Sequence, residues 1–397
     1  MPNKRYVALD SLRGIAAILV ALHHFTANGM IVNTMLVQNA WLFVDFFFVL
    51  SGFIIAANYR EKLTHGYTIA TFMQLRLGRV YPLHLTMLVL WVLAECGIAM
   101  FGADATTGGR APFTGPAAAG ALPAQLFLLQ SIGLKLDETW NWVAWSISTE
   151  FWTYLVFALL AALGPLGLNR RLAVLLLAMM ALVTFVPASS DLGARWLGFA
   201  RCLYGFCTGV FVADFSARYY AWQRERSRTY HNLPVTALLE LAAIVLGVGF
   251  VLASTYVRAH LVAPLIFGVV VLIFAADAGP VSRMLAMPVF ARLGLLSYSI
   301  YMIHPFLQLR VLKPIGLGAQ KLTGIPVFSS IARGDGATIQ VWGTQPWLGD
   351  IATVGMLLCV VAAAGVTYRF VETPGRDYVR RRAAATDAPA PGGASSD

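Results

Sequence analysis

Apolar runs close to the roughly 20 residues that cross a bilayer recur along this chain, separated by stretches of Arg, Gly, Pro and small polar residues. None alternates polar and apolar positions with a period of two, which argues against an outer-membrane barrel. The pattern predicts an all-α polytopic membrane protein of ten transmembrane helices, over 8–27, 41–58, 81–101, 143–163, 171–187, 196–214, 235–254, 260–277, 294–312 and 350–371. The first run continues for a full span with no small-residue cleavage site at its end, so it is expected to be a retained helix and not a leader. An integral-membrane domain is expected over 1–380, followed by a disordered cytoplasmic tail over 381–397 that ends "DAPAPGGASSD".

Composition agrees. The 397 residues are 58% hydrophobic and 12% charged, with a mean hydropathy of +0.69, whereas a soluble domain carries about a quarter charged residues. The formal charge is +10. With the N-terminus inside, the inner segments hold Lys4 and Arg5; Arg60, Lys62, Arg76 and Arg79; Arg170 and Arg171; Arg218, Arg224, Arg226 and Arg228; Arg283 and Arg292; and Arg369, Arg376 and Arg380 to Arg382. Nineteen of the 29 basic residues therefore fall on one side. This places both termini in the cytoplasm and accounts for the basic balance without a nucleic-acid partner. Cys96, Cys202, Cys207 and Cys359 sit in apolar segments without a C-x-x-C pair, so neither a disulfide framework nor a metal site is expected.

Two long loops, 102–142 and 313–349, fall on the outer side. The first ends in Trp140, Trp142 and Trp145, a cluster expected to mark the membrane interface, although a loop of this length can also cover a binding site.

Ionisable groups at membrane depth are costly and point to function. The first run, "LDSLRGIAAILVALHHF", carries Arg13 and His24 eleven residues apart. At about 100° per residue they return to within about 20° of one another, on one helix face, about 16 Å apart along the axis. Asp10, one turn before Arg13, can pair with the guanidinium. A cation at one level and a proton acceptor at another suit an elongated ligand with an anionic end, of about the reach of a phosphopantetheine arm. A snorkelling arginine and a histidine bonded to a neighbouring helix would read the same way. In "FMQLRLGRVYPLH", Arg76 and Arg79 share a face if helical, as paired phosphate ligands do; inner-side charge alone is the alternative. "WNWVAWSISTEFW" puts Glu150 at a depth comparable with His24, where a carboxylate can orient an imidazole, with Ser146 and Ser148 nearby. "LSYSIYMIHPF" lines Ser297, Tyr301 and His304 along one stripe, with Pro305 expected to kink the helix.

These segments resemble the type 3 membrane acyltransferases, which O-acylate glycans and some small molecules. The resemblance rests on the R-x10-H spacing of Arg13 and His24, "DFFFVLSGFII" at 45–55, Arg76-x-x-Arg79, "WSISTEFWTYLVF" at 145–157, "LSYSIYMIHPF" at 296–306 and "FVETPGR" at 370–376. It implies a ten-helix core in a bacterial inner membrane that takes an acyl group, acetyl as the first expectation, from cytoplasmic acyl-CoA. It implies that Arg13 and His24 are essential and that Arg76 and Arg79 engage the donor. The reading assigns His24 as general base, Glu150 and Arg13 as its catalytic partners, Arg13, Arg76 and Arg79 to acyl-CoA, and Asp45, Ser146, Ser148, Tyr301 and His304 to substrate. The acceptor is expected to be a hydroxyl of a surface or secreted polysaccharide. The alternative is a proton-coupled secondary transporter of a glycan or small metabolite, using the same buried groups; no inverted repeat supports it.

Overall fold

The computed structural model describes residues 5–102, 110–134, 136, 138–187, 190–225, 233–254, 259–332 and 338–386. Every expected span has a helical counterpart: α1 (Val7–His23), α2 (Phe43–Thr64), α3 (Ile69–Phe101), α4 (Trp145–Ala162), α5 (Leu168–Phe185), α6 (Asp191–Glu225), α7 (Leu233–Ala253), α8 (Ala259–Phe274), α9 (Pro288–Phe306) and α10 (Pro346–Thr367). Among the described residues, seven helices are long and apolar enough to cross a membrane, those built on α2 to α7 and on α10. The other three differ for physical reasons. α1 and α8 have 17 and 16 residues, and α9 is interrupted by Arg292, Ser297, Ser299 and His304.

Two seams organise the bundle. α2 packs along α6 and α1 along α9. In the first seam Gly52 faces the Phe206 carbonyl and Gly209 the Val49 carbonyl, so neither position has room for a side chain. In the second, Gly14 lies on the backbone of Leu293 and Gly294, and Gly294 lies on the backbone of Asp10 and Ser11. Small residues let helix backbones touch where apolar burial gives no preference between lipid and protein. α1 starts where the Asp277 carboxylate accepts the Val7 and Ala8 amides at 3.1 and 3.0 Å. Glu240 similarly accepts the amides of Gly279, Val281 and Ser282 at the start of the short helix Pro280–Leu285. The Ser11 hydroxyl donates to the Leu285 carbonyl at 2.7 Å. These contacts fix the axial position of α1.

The structure departs from expectation in four places. The fold is not wholly helical: Phe328–Ala332 (β1) and Thr338–Trp342 (β2) form an antiparallel hairpin. Its β-branched and aromatic residues favour that state, and β2 bridges to Ala27 just beyond α1. α3 begins at Ile69 instead of 81, because the Thr68 hydroxyl caps it through the Thr71 amide at 3.1 Å. Arg76 and Arg79 thus sit inside a helix. Just past Pro305, where only a kink is expected, α9 passes into a π-helical segment, Leu307–Leu312, one way to absorb a missing N–H. α10 runs on through a second π-helical segment, Tyr368–Glu372, into α11 (Thr373–Thr386), past the boundary expected at 380. Lys4, Arg226, Arg228 and residues 387–397 lie outside the described residues.

Gly294→Val would force a branched side chain against the α1 backbone. The expected destabilisation is about 1–3 kcal/mol, read as a lower melting temperature in detergent. Gly355→Ala in α10, with open space around it, leaves the midpoint unchanged.

Candidate active site

α1, α2, α3, α4 and α9 surround a cavity of about 100 Å³. Its polar wall comprises Arg13, Ser51, Arg76, Arg79, Ser146, Glu150, Tyr154, Ser297 and Tyr301. Arg13 is held by α9: Nε donates to Ser297 Oγ at 2.8 Å and Nη2 to the Gly294 carbonyl at 3.1 Å. Asp10 pairs with it at 3.3 Å. Arg76 Nη2 donates to the Tyr59 hydroxyl at 2.9 Å, with the guanidinium 4.8 Å from that ring's centre. Arg79 has no hydrogen-bond partner among the described residues; Glu372, Glu150 and Asp10 balance its charge from a distance. Tyr154 donates to Glu150 Oε1 at 2.5 Å and shares a 2.9 Å hydrogen bond with Ser51. Three guanidiniums against one lining carboxylate leave the cavity cationic. Planar, pre-positioned guanidiniums suit phosphate oxygens.

Past Ser146 and Tyr301, toward the far end of α1, lies a histidine pair. His24 Nδ1 and His304 Nε2 are 3.0 Å apart, with the rings stacked at 5.1 Å. The Ile300 carbonyl lies 3.2 Å from His304 Nδ1. A carbonyl only accepts, so with both rings neutral His304 carries its proton on Nδ1 and accepts at Nε2. His24 then donates from Nδ1, and its Nε2 keeps a lone pair. His304 is fully buried and His24 half-buried. The end of α1 is fixed by Gln308 in the π-helical segment, whose Nε2 donates to the Ala21 carbonyl at 2.8 Å.

The structure brings together most of the expected residues, but not as paired by the sequence reading. Arg13, Arg76, Arg79 and Glu150 share the cavity. Glu150 is not the partner of His24; it is bound to Tyr154, and His304 takes the expected place beside His24. Ser146 and Tyr301 line the cavity and bond to each other at 2.8 Å. Asp45 is buried in an ion pair with Arg201 at 2.8 Å. The Ser148 hydroxyl donates to the Leu128 carbonyl at 2.6 Å, away from the cavity. Neither histidine lines the cavity; the Tyr301 ring lies 6.1 Å from His304 and forms the wall between. The three tryptophans pack inward to different extents. Trp140 is buried, Trp142 abuts His24 at 6.3 Å, and Trp145 packs on Phe48. Three contributors were missed. Glu372 lay in the quoted "FVETPGR" segment, Tyr154 stands one turn after Glu150, and Gln308 left no signal because its position depends on the π-helical register.

The sequence profile described as "Acyltransferase domain" matches residues 6–366. The chain is similar to "Acyltransferase MdmB" of Streptomyces mycarofaciens, 27% identical over 418 residues, covering 98% of this chain and 96% of that protein. It is similar to "Putative membrane-bound transacylase BcsY" of Komagataeibacter xylinus, 27% identical over 321 residues, covering 76% and 73%. It is also similar to "Protein 2 in picA locus" of Rhizobium radiobacter, 30% identical over 196 residues, covering 47% of this chain and 97% of that protein. No solved structure gives a significant match. With the profile spanning nearly the whole chain and apolar helices on either side of the charged cavity, the chain belongs to this acyltransferase family and is a multi-pass membrane acyltransferase.

Proposed function

We propose that the protein moves an acetyl group from cytoplasmic acetyl-CoA to a hydroxyl of a cell-surface or secreted polysaccharide, with His24 as general base. In this reading the chain crosses a bacterial inner membrane ten times, both termini are cytoplasmic, and the arginine cavity opens inward. The observation that carries it is the α1–α9 seam, which presents a cationic cavity at one level and an imidazole with a free lone pair at another.

Donor phosphates rest on Arg76, Arg79 and Arg13, and the pantetheine arm runs along the cavity toward Ser146 and Tyr301. Glu150 holds Tyr154 and balances the guanidiniums. The acceptor hydroxyl arrives from the opposite side of the membrane. Its oxygen attacks the thioester carbonyl as His24 Nε2 takes its proton. The carbon–oxygen bond forms, the carbon–sulfur bond breaks, and the proton ends on the coenzyme A sulfur. One hydroxyl of the Ser146–Tyr301 pair, both of which also reach the Val143 carbonyl, turns its O–H to the developing oxyanion. His304 holds the His24 tautomer through Nδ1. The thioester supplies the driving force, so no ion gradient is consumed.

The test is transfer of label from acetyl-CoA to exported glycan in membranes treated with an uncoupler. Transfer persists if the reading is right; collapse with the gradient would instead mark a proton-coupled carrier. His24→Ala lowers turnover by about 10²–10⁴-fold while acetyl-CoA binding, measured by calorimetry on protein in nanodiscs, is retained. Loss of both together would remove His24 from the role of base. Arg79→Gln raises KM for acetyl-CoA about 10- to 100-fold, and Arg79→Lys recovers only part, because an ammonium lacks the planar fork. An unchanged KM would place the phosphates elsewhere.

A further inference from the structure

The wall beside His24, on the side away from the arginines, is built unlike the rest of the bundle. The Glu95 carboxylate, fully buried, accepts from Arg110 at 2.6 Å and from Arg310 at 2.7 Å. It ties the loop that follows α3 to the segment that follows α9. Arg310 lies over the Trp91 ring at 5.1 Å, Trp91 abuts Trp142 at 6.1 Å, and Trp142 abuts His24 at 6.3 Å. A chain of fixed contacts thus sets one indole against the proposed base.

Trp142 differs from its neighbours in exposure. Trp91 and Trp140 are buried, at 3% and 2% exposure, whereas Trp142 and His24 are both half-buried. Both ring contacts of Trp142 are edge-on, at 76° and 63°, so among the described residues no ring stacks flat on it. The preceding residue, Asn141, is buried and donates from Nδ2 to the Met302 carbonyl, which anchors the backbone that carries the indole.

We propose that Trp142 is the platform on which a pyranose ring of the acceptor stacks, presenting one hydroxyl to His24 Nε2. The proposal rests on the acetyl-transfer reading above and names its acceptor chemistry: a neutral sugar ring, apolar on its C–H face and hydroxylated at its edge. A flexible polyol offers the same hydroxyls without the face.

The experiment uses the full-length protein in nanodiscs with labelled acetyl-CoA, and with cellotriose and sorbitol as acceptor probes. Saturation-transfer NMR reads binding independently of activity. In the wild type, saturation reaches the ring C–H protons of cellotriose and transfer to it exceeds transfer to sorbitol. Trp142→Leu removes the saturation signal and raises KM for cellotriose about tenfold or more, with KM for acetyl-CoA changing less than twofold. Trp142→Phe, which keeps a ring, recovers part of the loss. Absence of sugar binding to the wild type, equal binding to Trp142→Leu, or equal use of sorbitol each overturns the platform. Trp142-dependent sugar binding without any acetyl transfer overturns the catalytic reading and leaves the platform standing.

Discussion

The backbone contact between Gly14 and Gly294 is the constraint on which the site depends. α1 and α9 run in the same direction, so a contact at 14 and 294 sets everything further along both helices. Ten residues on, His24 meets His304; at the contact itself, Arg13 reaches the Gly294 carbonyl and Ser297. A side chain at either glycine would separate the helices and shift the register. The caps supplied by Asp277 and Glu240, and the Gln308 bond to the far end of α1, hold the same register from both ends.

Buried charge in this bundle is handled in two ways. Asp45 with Arg201, and Glu95 with Arg110 and Arg310, are close pairs whose partners lie on different elements. Desolvation offsets much of what such pairs contribute, so they act chiefly to specify which elements meet. The cavity is different. Arg13 bonds to Ser297 and pairs with Asp10, Arg76 bonds to the Tyr59 hydroxyl, and Arg79 has no direct partner among the described residues. An unpaired guanidinium lining a cavity at membrane depth points to function, which separates this group from the structural pairs.

Much of this was legible in the residues. Hydropathy placed a helix at every expected span, and eleven-residue spacing put Arg13 and His24 on one face of α1. Angular arithmetic within a helix is reliable because 3.6 residues per turn is a local property. Partnership between helices is not local. Glu150 was matched to His24 on depth alone, and depth says nothing about which face of α4 turns toward α1. Asp45 and Ser148 were judged on residue type, which does not reveal that Arg201 and the Leu128 carbonyl already engage them. The β hairpin and the π-helical segments were hidden for a related reason: the first lies in a loop without a span-length signal, and the second depends on a single extra residue per turn.

The replacement of Glu150 by His304 at the side of His24 changes the electrostatics of the proposed reaction. A carboxylate in that place would favour a charged imidazole, a poor recipient for an alcohol proton. A second imidazole, with its own Nδ1 tied to the Ile300 carbonyl, fixes the tautomer without importing charge. The one carboxylate of α4 stands in the arginine cavity instead, where in the proposed reaction it would temper guanidiniums that bind a donor and later release it. In the proposed reaction the seam would thus separate two tasks that compete when placed together: strong positive charge for the anionic arm, and a neutral base for the alcohol.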